Sequence, residues 1–109
     1  MHELGITQEI VAIVCEHCRG AKVTRVVLEI GKLSAVLPDA VRFCFDLCAE
    51  GTEAEGAVLE IIEPSGKARC RKCATEVLLD RPFGYCSCGN TDLEWLSGEE
   101  LRVREVETA

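Results

Sequence analysis

The chain has 109 residues, 48% hydrophobic and 28% charged, which excludes wholesale disorder and allows one ordinary domain with a small appendage. Its formal charge of -7 argues against a nucleic-acid surface, because a phosphate backbone rewards clustered Lys and Arg. Only 5% is aromatic, so the core has to be built from Val, Ile, Leu and Cys.

The start, Met1-His2-Glu3, is polar and lacks the basic region of a signal peptide. No run of about 18 apolar residues is present to span a membrane. The expectation is a protein of the reducing cytoplasm. There, eight Cys read as metal ligands or small buried hydrophobes before they read as disulfides.

Ile6 to Cys18 has helical periodicity, with Ile6, Ile10, Ile13 and Val14 near one face and Gln8, Glu9 and Glu16 off it. Gly20 supplies a stop. Val23 to Ile30 is β-branched and alternating, which predicts a strand with one well-buried face, ended by Gly31. Pro38 suits a first helical turn. Val41, Cys44, Phe45 and Cys48 then follow at i, i+3, i+4 and i+7, and Gly51 stands past the helix end.

Ala57 to Ile62 and Leu101 to Val106 read as two more strands. Between them, from Pro64 to about Ser97, the periodicity weakens and four Cys appear. The fold expected is α+β: a three-stranded antiparallel sheet covered by two helices, with an inserted zinc-ribbon-like domain. The two strands flanking the insertion are expected to pair and bring its ends together.

Cys70-Arg71-Lys72-Cys73 and Cys86-Ser87-Cys88-Gly89 are two short knuckles separated by a loop. Two such pairs point to a four-thiolate zinc site at Cys70, Cys73, Cys86 and Cys88, closed and therefore structural. The metal would supply folding free energy that so short an insertion lacks. The second pair is C-x-C, one residue tighter than usual, so fewer backbone N–H groups are expected at its sulfurs. Two disulfides or four free thiols are the alternatives; the first conflicts with the compartment and the second invites oxidation.

Lys67, Arg69, Arg71 and Lys72 then read as solvated flanks of a knuckle. Cys44 and Cys48 read as core residues of the second helix. Cys15-Glu16-His17-Cys18 looks like a metal motif, but on a helix Cys15 and Cys18 approach one another without any ion, and a partly buried helical face is favoured.

At the N-terminus, a free α-amine, the amide nitrogen of His2 and its Nδ1 can grip one ion through five- and six-membered chelate rings. Such planar nitrogens suit Ni²⁺ or Cu²⁺, and the Glu3 carboxylate can complete the shell. The chain contains no G-x-x-x-x-G-K-[ST], no H-E-x-x-H and no nucleophile–base set, so no enzymatic role is expected.

Met1-His2-Glu3-Leu4, Leu28-Glu29-Ile30-Gly31, Phe43-Cys44-Phe45, Gly51-Thr52, Glu55-Gly56-Ala57, the two knuckles and Gly98-Glu99-Glu100-Leu101-Arg102-Val103 occur in an order that resembles the HypA/HybF hydrogenase maturation factors. The resemblance covers essentially the whole chain. It implies a nickel metallochaperone serving the large-subunit precursor of a [NiFe]-hydrogenase, with a maturation GTPase as partner and without nucleic acid or membrane.

It also implies that residues 1–63 and 98–109 form a nickel-binding domain and residues 64–97 a zinc-binding insertion. By the same resemblance Met1, His2 and Glu3 hold Ni(II), and Cys70, Cys73 and Cys88 carry over directly as Zn(II) ligands, while Cys86, the expected fourth, departs from the family's usual C-x-x-C spacing and is the less secure ligand. Asp39 lies near the place of a further acidic ligand in some members but does not align cleanly. Urease is the alternative client, and a zinc-ribbon interaction module without nickel is the alternative function. A homodimer is compatible with the sequence, which does not fix the oligomeric state.

Overall fold

The computed structural model describes residues 2–109, so Met1 lies outside the described residues. The elements are α1 (Glu3–Cys18), β1 (Val23–Ile30), α2 (Pro38–Ala49), β2 (Val58–Ile62), β3 (Gly66–Cys70), β4 (Glu76–Leu79), β5 (Leu93–Ser97) and β6 (Leu101–Thr108). They form two compact units. One holds the chain up to Glu29 with Val36–Ile62 and Arg102–Ala109; the other holds Ile30–Ala35 and Glu63–Leu101.

In the first unit, α1 buries Thr7, Ile10, Val11, Val14 and Cys18. Thr7 can sit there because its hydroxyl donates to the Glu3 carbonyl at 2.6 Å. Ile13, expected on the buried face, is 43% exposed. At 3.6 residues per turn it lies roughly 120° from the middle of the stripe. The helix ends where Arg19 and then Gly20 turn left-handed, at φ 50 and 85. α2 starts at Pro38, buries Val41, Phe45 and Ala49, and packs against α1. Cys44 and Cys48 flank that stripe half-buried, and burial followed by the neighbouring Cys44 pushes the Cys48 thiol up.

β1 is the middle strand of a sheet ordered β2-β1-β6. Val26, Val27 and Leu28 are all buried, so both faces of β1 are covered and not one alone. β2 runs parallel to β1, with Arg25 opposite Val58 and Glu29 opposite Ile62. This corrects the expected antiparallel pairing. A helix between two consecutive strands carries the chain back to the end where it started, and the crossover leaves the strands parallel. Nor do β2 and β6 pair with each other, because β1, the most buried strand, takes the place between them. β6 is antiparallel to β1: Gly31 N–H donates to the Glu100 carbonyl at one end (2.7 Å) and Ala109 N–H to the Lys22 carbonyl at the other (2.9 Å).

Charged side chains roof one face of this sheet. Arg25 pairs with Glu60 at 2.7 Å and Glu105 at 3.0 Å, and also with Glu107. Buried Glu29 pairs with Arg102 and, at 3.8 Å, Arg104. Arg25 and Glu29 are four apart on one strand and share a face. Their partners on β6 do not keep that period, since residues 102 and 104 should oppose 105 and 107. The register of β6 against β1 is nonetheless the same at both ends, since Gly31 bonds to Glu100 and Ala109 to Lys22, so no residue is gained between them. Val103 and Val106 are the two half-buried positions of β6.

The second unit carries a sheet ordered β4-β3-β5, antiparallel throughout. Its apolar core is small: Leu33, Ala68 and Leu79, with Val77 and Leu93 packed against it. Leu33 is inserted between two glycines. A Cβ on Gly66 would strike the Leu33 side chain, and one on Gly98, at φ 111, would strike the Gly66 Cα. These three strands were not expected from sequence. The inward positions of β3 are Gly66, Ala68 and Cys70, too small to register as a hydrophobic alternation.

Candidate metal centres

The four cysteines of the two knuckles converge. Their Sγ atoms all lie within 4.8 Å of one another, with Cys70 to Cys88 at 3.7 Å and Cys73 to Cys86 at 3.5 Å. A tetrahedral zinc with Zn–S bonds of about 2.3 Å sets sulfur–sulfur edges of about 3.8 Å, so the donor set fits such an ion.

The two knuckles close by the same turn. In the first, Cys70 N–H donates to the Thr75 carbonyl and Ala74 N–H to the Cys70 carbonyl, both at 2.9 Å, with Ala74 left-handed at φ 63. In the second, Cys86 N–H donates to the Asn90 carbonyl at 2.9 Å and Gly89 N–H to the Cys86 carbonyl at 2.8 Å, with Gly89 left-handed at φ 92. The C-x-C turn is thus the C-x-x-C turn with one residue removed, and it still brings the buried Cys86 sulfur to the other three.

The electrostatics favour a cation between these sulfurs. Asn90 Nδ2 and the amides of Cys73 and Lys72 all donate to Cys70 Sγ at 3.4 Å. With Asn90 first among them, these donors bring the Cys70 thiol down to about 6. Among the described residues, Cys86 Sγ receives no such amide. The Thr75 hydroxyl and amide lower Cys73 in the same way. Against the Asn90 amide, burial and the adjoining sulfurs of Cys70, Cys86 and Cys73 push Cys88 up to about 11. Four thiolates cannot share this volume without a positive charge, and a divalent ion removes the conflict. Asn90 is a functional residue that sequence reasoning missed, although a polar residue directly after a knuckle is a place to look for one.

No other group of three or more His, Cys, Asp or Glu is arranged to hold a metal among the described residues. His17 Nδ1 lies 2.9 Å from the Ile13 carbonyl, and Cys18 Sγ donates to the Cys15 carbonyl at 3.3 Å. Both side chains are satisfied by their own helix, as the reading of a helical face expected. All eight cysteines are free thiols.

At the other end, His2 is the exposed N-cap of α1, with its carbonyl accepting from Ile6 N–H at 3.0 Å. Glu3 begins the helix. Its carboxylate accepts the Leu37 N–H at 3.2 Å, at the entry of α2, where no side chain caps the helix. A hydrogen bond from its own amide, then that from Leu37, holds the Glu3 carboxyl below the usual range. This tie between the N-terminal segment and α2 was not legible in the sequence. Asp39 is exposed in the first turn of α2.

A family model described as hydrogenase/urease nickel incorporation, metallochaperone, hypA matches residues 1–108. The chain belongs to the HypA family. The hydrogenase maturation factor HypA of Nostoc punctiforme is 63% identical over 107 residues, covering 98% of this chain and 95% of that protein. HypA of Geobacter sulfurreducens is 46% identical over 108 residues, covering 98% of each chain. The solution structure of the Ni metallochaperone HypA from Helicobacter pylori superposes with a TM-score of 0.68 at 25% identity, covering 99% of this chain and 97% of that one. The resemblance read from the N-terminal tetrapeptide, the strand ends and the knuckles is therefore borne out. So is the architecture of two helices, a three-stranded sheet and an inserted four-cysteine unit.

Proposed function

We propose that this HypA-family chain carries nickel at its N-terminus and delivers it, in the cytoplasm, to the large-subunit precursor of a [NiFe]-hydrogenase. The observation that carries this reading is the match to a nickel metallochaperone family from the first residue onward, with Met-His-Glu as its first three residues. The Met1 amine, the His2 amide nitrogen and imidazole, and Glu3 would hold Ni(II) as cargo. Amine, amide and imidazole must all lose protons to bind, so nickel affinity falls as pH falls.

Exposure of His2 suits a cargo site, because a recipient's ligands can approach it from solvent. A maturation GTPase would supply any energy input, since the chain has no nucleotide-binding loop of its own. The protein is a carrier and not a catalyst. A urease client is the second reading, favoured only by the family description, which names both enzymes.

In this reading Cys70, Cys73, Cys86 and Cys88 hold zinc, whose bonds to four thiolates tie the two knuckles together and stabilise the unit that contains them. Asn90 and the Lys72 and Cys73 amides stabilise the negative charge on Cys70 Sγ, keeping it ready as a ligand.

The test is calorimetric nickel titration of the untagged, zinc-loaded protein beside a form extended by two N-terminal residues and a His2→Ala variant. Nickel uptake with the absorption of planar nitrogen ligation is expected in the first and its loss in both others, with zinc content unchanged in all three. Nickel uptake indifferent to the extension overturns the N-terminal site.

A further inference from the structure

The chain has one Trp, one Tyr and three Phe. Of these only Phe45 is buried in a core. Trp95, Tyr85 and Phe83 stand together in the second unit, around a cavity of about 410 Å³ completed by Leu79, Pro82 and Leu93. Phe83 is 68% and Tyr85 72% exposed, and neither belongs to the core of that unit, which is Leu33, Ala68 and Leu79. Exposed rings around a concave apolar surface are what a recognition site presents.

The strand register accounts for the cavity. Trp95 opposes Ala68, Leu93 opposes Cys70 and Leu79 opposes Gly66. Directly opposed residues of an antiparallel pair share a face. The outer strands β4 and β5 therefore raise large side chains on a face where the middle strand, β3, has only Gly, Ala and Cys. Residues 80–85 close the remaining side. Buried Leu79 fixes one end of this segment and buried Cys86 the other. Within it Gly84 lies so close to Leu79 that a Cβ would strike Leu79 Cδ2. The wall is thus set before any ligand arrives, which lowers the cost of binding.

The polar groups at the cavity are donors without partners. Among the described residues no hydrogen bond engages Trp95 Nε1–H or the hydroxyls of Tyr85 and Thr91. Arg81 places its guanidinium 5.8 Å from the Phe83 ring centroid, and among the described residues no carboxylate pairs with it. The other arginines of the unit are paired, Arg69 with Glu76 and Glu94, and Arg71 with Asp92. The cavity therefore offers apolar walls, free N–H and O–H donors and an uncommitted cation at its edge, with no carboxylate in its lining.

The complementary occupant is apolar, rich in acceptors, poor in donors and negatively charged beside its apolar part. Proline meets the first three conditions, because its ring is apolar, it has no N–H and its carbonyl accepts. The polyproline II form leaves those carbonyls bare and has little conformational freedom to lose on docking. A strand taken from a sheet edge would instead bring N–H groups that no carboxylate of the lining accepts, and a basic peptide would meet the charge of Arg81.

We propose that this cavity docks an extended, proline-containing segment of a partner protein, with proline rings against Trp95 and Tyr85 and a flanking Asp or Glu on Arg81. Such docking uses the second unit alone, whatever cargo the N-terminus holds.

Trp95 is the only Trp of the chain, so its emission reports this cavity. The zinc-loaded full chain is titrated with three peptides that contain no aromatic residue. The first has about six prolines flanked by Glu at both ends, the second has Lys in place of Glu, and the third has Ala in place of Pro. The first is expected to shift the emission with a Kd below about 1 mM, and the other two to bind at least about fivefold more weakly. Arg81→Glu is expected to reverse the order of the Glu-flanked and Lys-flanked peptides, and Tyr85→Ala to weaken the first at least about fivefold. Both positions are exposed, and zinc content with far-ultraviolet circular dichroism checks that the variants fold.

Amide shifts moved by the first peptide are expected to cluster within residues 79–95. No emission change up to about 10 mM peptide overturns the proposal. So does equal affinity for the three peptides, or an order that Arg81→Glu leaves unchanged. An emission shift on raising the protein concentration alone assigns the cavity to a second copy and overturns it as well.

Discussion

Replacement of Cys86 by Ala tests whether the tight C-x-C turn delivers a full ligand. In the structure its sulfur is buried and 3.5 Å from Cys73 Sγ, close to the edge of a tetrahedral four-sulfur shell. If Cys86 binds as the other three do, its loss should cost more than the tenfold to hundredfold typical of a residue that only orients a ligand, hence at least about 100-fold in zinc affinity. The single Ala variants at Cys70, Cys73 and Cys88 should lie within about tenfold of it.

Competition with a chromophoric chelator measures the affinities. Cobalt substitution counts the thiolates, because the sulfur-to-metal charge-transfer intensity falls as each is lost. A Cys86→Ala protein that holds zinc within tenfold of the unaltered chain, with an unchanged cobalt spectrum, would refute the reasoning and leave a three-thiolate site.

Two other outcomes are expected. Gly98→Ala combines a left-handed backbone with a clash against the Gly66 Cα, and should destabilise the zinc-loaded protein by about 2–4 kcal/mol in denaturant unfolding. Gly51→Ala, at φ 77 but in open space, should cost only about 1 kcal/mol. Glu29 is held below the ordinary carboxylate range by its hydrogen bond from Arg102, with burial opposing. Its contribution to stability is therefore complete above the unfolded carboxyl pKa of about 4.3 and is lost as pH falls through the folded value. A Glu29→Gln protein should melt lower at neutral pH and converge with the unaltered chain in acid; parallel curves would remove Glu29 from the account.

The elements of the first unit were legible because their periods are clean. Val41, Phe45 and Ala49 keep a helical stripe, and Val23 to Ile30 has too many β-branched residues to be anything but a strand. The direction of β2 was also within reach, since α2 lies between it and β1 and the crossover rule applies to that order. The strands of the second unit were not, because a cysteine cluster and three small inward residues replace the apolar alternation that would reveal them. For the knuckles, spacing told which residues meet but left Cys86 insecure. The turn closed at left-handed Gly89 brings its sulfur to the other three. The tie from Glu3 to Leu37 joins residues 34 apart and leaves no local trace.

The position of β1 between a strand that comes soon after it and one that comes much later has a kinetic consequence. As the chain leaves the ribosome, α1, β1, α2 and β2 emerge first, but the other flank of β1 stays unpaired until residues 63–100 have been made. During that interval the most deeply buried strand of the protein offers an open edge to any passing extended segment. Swift closure of the knuckles around their ion would shorten the span β6 must search across, so scarcity of that ion during synthesis should show itself as aggregation of nascent chains.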